Sequence, residues 1–279
     1  MKSVKGEKLP LDKKLICSYL TDQVVSVLNE LHLFESTSST NDQVMKCLPH
    51  ESGQFIACVA NMQTGGRGRN GKSWQSPSNA NIYLSIGQCF ESSLLGDISG
   101  LSLACGVEVA KLLESMGLKV GLKWPNDILF DEKKLAGILV ETRIQVKQVM
   151  AVVGIGLNIK MPVEDAKKID QPWTDLSTAF AGQDLKLDRN HLIAQLMNAL
   201  ITCLLEYNKS GFQLYENDWK RLDLLTGREV IVITDKDELS AKVLGFNEDF
   251  ALRAEINNEE EIFYAADVKL KLNDNDASN

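Results

Sequence analysis

The segment from Gly65 to Trp74 constrains this chain more than any other, because of what stands on either side of it. Gly66 to Ser73 (GRGRNGKS) satisfies the phosphate-loop pattern G-x-x-x-x-G-K-[ST], and its first six residues satisfy G-x-G-x-x-G. Either motif must deliver its anion to the N-terminus of a following helix, whose amides and dipole bind it. Here Trp74, Gln75, Ser76 and Pro77 follow, then the turn formers Ser78 to Asn81, then an apolar stretch to Ile86 that reads as a strand. Proline and turn formers exclude a helix start, so neither nucleotide motif holds. A glycine loop between two strands fits a protein kinase, but no H-R-D or D-F-G occurs in the chain.

What remains is a polar loop, Asn61 to Pro77, between the strands Phe55–Ala60 and Asn81–Ile86. Its glycines let backbone approach a ligand closely. Arg67 and Arg69 offer planar forks for carboxylate or phosphate, and Lys72 adds a point charge. Fixing the backbone of such a loop costs on the order of 10 kcal/mol, at ~1–2 kcal/mol per residue. The loop is therefore expected to stay mobile until a ligand orders it, as a lid over a hydrolysable intermediate does.

Along the rest of the chain, apolar spacing predicts a largely helical Leu11–Leu31 and a short strand Leu31–Phe34. Ser38 to Asp42 offers N-cap chemistry for a helix through Val44 and Leu48. A helix is expected over Ile98–Met116, stopped by Gly117. Lys119–Trp124 reads as a strand, Ile128–Phe130 and Leu135–Val140 as a hairpin, and Val149–Ile159 as a further strand. Lys160–Pro172 reads as a polar loop; Asn190–Tyr207 and Phe212–Leu222 read as helices. From Thr226 onward only short strands and turns occur (Glu229–Thr234, Leu239–Leu244, Ala251–Ile256, Glu261–Tyr264), predicting a separate small β-barrel. Asn273 to Asn279 reads as a frayed polar tail.

The formal net charge of −8 argues against a general nucleic-acid binder, which presents a basic face. The six cysteines include no C-x-x-C pair, so buried free thiols are expected rather than a zinc site. No apolar stretch reaches membrane-spanning length and the first ten residues are polar, which places the chain in the cytoplasm with no membrane partner.

Four other segments carry chemistry. Ser39-Thr40-Asn41 opens a helix with hydroxyl and amide groups. Lys123 to Asp127 (KWPND) places a cation, an amide and a carboxylate where proline ends a strand. Lys134 to Gly137 (KLAG) opens the second hairpin strand, and Gly154 to Asn158 (GIGLN) puts two glycines and an amide at the end of an apolar one. Glycine inside a strand marks close approach of a ligand or of other backbone. Together with Gln63 to Trp74, these segments closely resemble biotin–protein ligases, in the family's order and approximate spacing, from about Phe34 to Leu272.

The resemblance implies an α/β (α+β) fold: a mixed-sheet, class II synthetase-like biotin/lipoate ligase catalytic domain over 34–223, after a helical extension (1–33) and before an SH3-like barrel (224–272). It implies that ATP activates biotin to biotinyl-5′-AMP, with Mg2+ bridging phosphates and no metal ligands assigned on the chain. The biotin then passes to a lysine of a biotin carboxyl carrier protein. By position, Ser39, Thr40, Asn41 and Gln63 line the biotin pocket, where a buried urea needs both donors and acceptors. Gly66, Arg67, Gly68, Gly137 and Gly154 border the biotin and Trp74 packs near it. Arg69 holds the carboxylate and then the adenylate phosphate, and Lys134 steadies the charge developing on the phosphate. Lys72, Lys123, Asn126, Asp127, Asn158, Trp173 and Lys271 fall on the ATP side.

Lys72 and Lys271 stand where arginine is usual in the family; lysine keeps the charge and loses the fork. Only 38 residues precede Ser39, too few for the DNA-binding domain that some members carry, so a single-function ligase with no specific DNA partner is expected. The family often pairs through exposed strands, which leaves room for a homodimer. A lipoate or octanoate ligase or transferase, which shares this core, is the alternative.

Overall fold

The structure, a computed structural model, describes residues 10–47, 53–91, 97–144, 148–183, 187–234, 237–265 and 269–272. The start of the chain and the expected frayed tail, 273–279, lie outside the described residues. Two short helices, α1 (Lys13–Ser18) and α2 (Asp22–Val27), lead into β1 (Leu28–Thr37) and α3 (Thr40–Cys47). Then come β2 (Phe55–Gln63), β3 (Asn81–Glu91), α4 (Leu101–Ser115), β4 (Val120–Lys123), β5 (Asp127–Phe130), β6 (Lys133–Ile144) and β7 (Gln148–Asn158). The helices α5 (Val163–Ala166), α6 (Leu176–Ala179), α7 (Arg189–Ser210) and α8 (Glu216–Leu222) precede β8 (Glu229–Ile233), β9 (Glu238–Phe246), β10 (Leu252–Ile256), β11 (Glu259–Phe263) and β12 (Lys269–Leu272).

Among the described residues these strands form a seven-stranded mixed sheet, in the order β1-β2-β3-β7-β6-β5-β4, and a five-stranded sheet, β11-β10-β9-β8-β12. Only the β1–β2 pair is parallel; all other pairs are antiparallel. The central strands of the large sheet are buried on both faces, which is why they read as continuous apolar runs. One face packs against α4 and α7 through Phe55, Val59, Leu84, Ile86, Val153 and Ile155. The other carries α3 over Val44, Cys58, Cys89, Met150 and Val152. The five-stranded sheet is open: β11 and β12 end it unpaired with each other, so the expected closure into a barrel is not seen among the described residues.

Two expectations change here. The predicted helix Leu11–Leu31 breaks in two, and the short strand Leu31–Phe34 is ten residues long, beginning at Leu28. The cause is non-local: Leu28 and Leu31 to Thr37 pair in register with Phe55 and Ala57 to Gln63, and this ladder outcompetes local helix propensity. The expected loop Lys160–Pro172 contains the single turn α5, with Glu164 and Asp165 at its N-terminal end. The hairpin β5–β6 turns through Asp131 and Glu132, both in the left-handed region (φ 51° and 57°), as a two-residue turn matching strand twist requires.

All six cysteines are free, and four are buried. No helix among the described residues is long and apolar enough to cross a membrane. The N-terminal helices are clipped to α7 by two amides on one face of it. Asn190, 1% exposed, accepts from Asp12 N (2.9 Å) and donates to Pro10 O (3.1 Å). Asn198 accepts from Thr21 N (3.0 Å) and donates to Tyr19 O (3.0 Å). Asn190→Ala strips two backbone groups of their partner and should lower unfolding free energy by about 1–3 kcal/mol. Denaturant titration measures this; an unchanged midpoint shows that the clip contributes nothing.

Candidate functional site

The sheet register assembles the site. Antiparallel partners point to the same face, so Tyr83, Gly156, Gly137 and Asp127 form one transverse row across β3, β7, β6 and β5. Ser85, Gly154 and Leu139 form the next. On β7 this face runs Met150, Val152, Gly154, Gly156: it is filled under α3 and then bare. Trp74 and Asn41 occupy the bare ground. A Cβ on Gly156 would lie 2.4 Å from Trp74 Cε2, and one on Gly154 2.3 Å from Asn41 Oδ1. These two glycines are thus required by close approach, made here by side chains of the same chain where the strand pattern pointed to a ligand or other backbone.

The resulting cleft has a volume of about 370 Å³. Of the residues singled out from the sequence, Ser39, Thr40, Asn41, Gln63, Arg67, Gly68, Arg69, Lys72 and Trp74 line it from the α3 and loop side. Lys123, Asn126, Asp127, Lys134, Gly137, Gly154, Asn158 and Trp173 line it from the strands and the 171–174 segment. Gly66 lies behind the lining, where a Cβ would meet Ser76 Oγ at 2.5 Å and Trp74 O at 2.6 Å. It closes the loop rather than facing the cleft. The side chain of Lys271 lies outside the described residues; its neighbour Leu270 borders the cleft.

One end of the cleft is a neutral hydrogen-bonding pocket. Gln63 Oε1 accepts from Thr40 N (2.8 Å) and Thr40 Oγ1 (3.1 Å), while Gln63 Nε2 donates to Ser76 Oγ (3.0 Å). The Ser85 hydroxyl lies 2.5 Å from Asn41 Oδ1 and 2.7 Å from Thr40 Oγ1. Ser39, Thr40 and Asn41 are each 4% exposed. These buried hydrogen bonds hold the groups in fixed orientations toward the cleft before any ligand arrives.

The other end is cationic on a chain of net charge −8. Lys134 Nζ binds Asp127 Oδ1 at 2.7 Å and lies 5.2 Å from the centroid of the Trp74 ring. Lys123 Nζ donates to Leu270 O (2.7 Å); burial, joined by repulsion from Lys134 and Lys72, lowers its pKa against the attraction of Asp127. Burial also lowers the pKa of Arg69, whose Nη1 donates to Asn126 Oδ1 (3.3 Å) and whose Nη2 donates to Ala265 O. Asn126 Nδ2 donates in turn to Ile138 O (2.7 Å). The 171–174 segment is stitched to β6, through Lys134 N to Pro172 O (3.1 Å) and Thr174 N to Lys134 O (2.9 Å), which brings Trp173 beside Lys134. Asn158 Nδ2 donates to Thr174 O (3.0 Å); among the described residues its buried Oδ1 has no hydrogen-bond partner, nor has the buried Trp74 Nε1.

Arg67 lines the cleft with its charge already met within the chain. Its guanidinium forms a two-pronged pair with Asp42 (2.6 and 3.0 Å) and reaches Glu141 Oε1 at 3.2 Å. Asp42 raises the pKa of Arg67 further, and Arg67 lowers that of Asp42. Two carboxylates thus meet the charge of Arg67, whereas Arg69 hydrogen-bonds an amide oxygen and a main-chain carbonyl. Asp42, Ser85 and Glu141 were not among the site residues singled out from the sequence. Alternation signalled one of them: Glu141 is four residues from Gly137 on one strand face.

Gly156→Ala should evict the Trp74 indole while leaving the opposite face of the sheet intact, lowering stability by about 1–3 kcal/mol. Hydrogen exchange checks this: protection should fall across 65–74 and not in β2 or α7. Unchanged protection in the loop would show that Trp74 does not anchor it.

Comparison with known proteins agrees with this geometry. The model of the biotin/lipoate A/B protein ligase family matches residues 33–158. The bifunctional ligase/repressor BirA of Escherichia coli (strain K12) is 36% identical over 242 residues, covering 84% of this chain and 71% of that protein. A biotin–[acetyl-CoA-carboxylase] ligase of Mycobacterium tuberculosis is 32% identical over 231 residues, 80% and 81% of the two chains. The solved biotin protein ligase from Aquifex aeolicus in complex with biotin and ATP superposes with a TM-score of 0.69 over 88% of this chain and 100% of that one, at 24% identity, a likeness of fold. With relatives of this identity matched over most of their length, the chain belongs to the biotin–protein ligase family.

Proposed function

We propose that this protein activates biotin with ATP to biotinyl-5′-AMP and transfers the biotin to a specific lysine of a biotin carboxyl carrier protein. The observation that carries this reading is one cleft with two chemically distinct ends under a single loop. The neutral end, with Ser39, Thr40, Asn41 and Gln63, offers donors and acceptors for a ureido ring. The cationic end, with Arg69, Lys72, Lys123 and Lys134, suits a carboxylate meeting a triphosphate.

In the first step a biotin carboxylate oxygen attacks the α-phosphorus, the bond to the bridging oxygen breaks, and pyrophosphate leaves. Both reactants are anions, so the cations act by cancelling repulsion and steadying the charge of the transition state. Lys134, held at the cleft floor by Asp127, is aimed at that charge. Arg69 holds the carboxylate and afterwards the adenylate phosphate. In the second step the neutral amine of the acceptor lysine attacks the acyl carbon, AMP departs, and the nitrogen loses its proton. Asn126, Asn158 and Trp173 serve the nucleoside, Asn158 offering its Oδ1 to a donor. Mg2+ would come with ATP and would supply further charge neutralisation at the phosphates beside the lysines of the cationic end; no ligands for it are assigned on the chain. The open five-stranded sheet we read as the SH3-like unit, 224–272, following a catalytic unit, 34–223.

A lipoyl or octanoyl group carries no ureido N–H or C=O, so it would gain none of the hydrogen bonds that the remaining donor and acceptor capacity of Asn41, Gln63 and Thr40 offers, about 0.5–1.5 kcal/mol for each bond. ATP–pyrophosphate exchange should therefore depend on biotin and not on lipoate or octanoate; exchange with lipoate alone would sink the proposal. Lys134→Ala should slow exchange on the order of 100-fold while the thermal midpoint stays near that of the unmodified chain. A normal rate would remove Lys134 from the mechanism. Arg69→Gly should speed dissociation of biotinyl-adenylate by about 10-fold or more, read by rapid filtration; an unchanged rate shows that Arg69 is not the clamp.

A further inference from the structure

The carboxylate of Glu141 lies between two groups on the neutral side of the cleft. Its Oε2 accepts from Asn41 Nδ2 at 2.7 Å, and its Oε1 meets Arg67 Nη2 at 3.2 Å. An ionised carboxylate only accepts hydrogen bonds. Its presence therefore forces the NH2 end of the Asn41 amide toward β6 and the oxygen toward β3 and β7. There the oxygen meets the Ser85 hydroxyl at 2.5 Å, over the bare backbone of Gly154. Leu139 O, 3.5 Å from Asn41 Nδ2, favours the same orientation. Arg67, held also by Asp42, keeps the Glu141 carboxylate from turning away.

We infer that Glu141 is a positioning residue for the biotin pocket, holding the Asn41 amide so that its oxygen, not its NH2, faces the ligand. This rests on the function proposed above and deepens it. A buried amide free to flip would present a donor half the time, and would then oppose a ureido N–H with another N–H. With the flip suppressed, the pocket at this point recognises an N–H donor of the ring. Selection among carboxylic acids is then set partly by a residue lodged in the loop latch.

Biotin-dependent pyrophosphate exchange by Glu141→Ala and Glu141→Gln tests this, with KM for biotin and for ATP measured separately. Glu141→Ala should raise KM for biotin on the order of 10-fold and leave KM for ATP within about 2-fold. Glu141→Gln keeps an acceptor for Asn41 Nδ2 and should recover biotin KM to within about 3-fold of the unmodified chain. Equal shifts for biotin and ATP, no shift in Glu141→Ala, or a Gln variant as poor as the Ala variant would overturn the inference. Should the Ala variant fail to fold, Glu141→Leu fills the same space without an acceptor, and the same comparison decides. Absence of biotin-dependent exchange in the unmodified chain would instead refute the proposed function itself.

Discussion

The site depends on a patch of bare backbone in the middle of a buried sheet. Gly137 pairs directly with Gly156, and Gly154 follows two residues away on the same face. Glycine in a strand interior costs about 0.5–1 kcal/mol relative to alanine. Here the cost is offset by a sheet whose other face is sealed by α4 and α7. The vacancy left by the missing side chains is filled by the Trp74 indole and the Asn41 amide, which arrive from a loop and from a helix. Where these two side chains lie fixes the path of 65–74, and that path carries Arg69 to Asn126 and to the turn after β11. The cationic end follows from the same rows, since Asp127 is opposite Gly137 and holds Lys134.

The two arginines of the loop, alike in sequence, have opposite surroundings. Arg67 meets two carboxylates, and its attraction to an incoming anion is largely cancelled before any ligand arrives. Arg69 meets an amide oxygen and a carbonyl, and burial disfavours its charge. Dipoles of that kind orient a guanidinium without neutralising it, and Asp127 only partly offsets the effect of burial. Within three residues the loop thus carries one arginine paired with carboxylates and one held by dipoles.

Much of the site was legible because its determinants are local. Glycines inside apolar strands, a tryptophan after a basic loop, and lysines at strand ends each carry a signal that needs no partner to be read. The sheet's double burial was legible too, as unbroken apolar runs. What was hidden depends on residues far apart in the chain. Asp42 and Glu141 reach Arg67 across 25 and 74 positions, and no local pattern marks a strand glutamate as a latch. Helix spacing over Leu11–Leu31 misled for the same reason, since the ladder with β2 decides where β1 begins. Closure of the terminal strands into a barrel, expected from their number and spacing, is a property of edges, and among the described residues β11 and β12 remain apart.

The second sheet touches the cationic end through a main-chain oxygen of β12, Leu270 O to Lys123, and the turn after β11 through another, Ala265 O to Arg69. Carbonyls along a strand point alternately to opposite sides, so the contact from β12 senses position along the chain rather than side-chain identity. The register Leu270↔Val232 therefore acts as a ruler. The contact with Lys123 is made by the main chain of β12 and depends on where the strand lies, not on which side chains it carries. A one-residue insertion or deletion that shifted β12 against β8 would rotate the carbonyl away and disconnect Lys123, with the cleft residues of the large sheet and of the 61–77 loop unchanged in sequence.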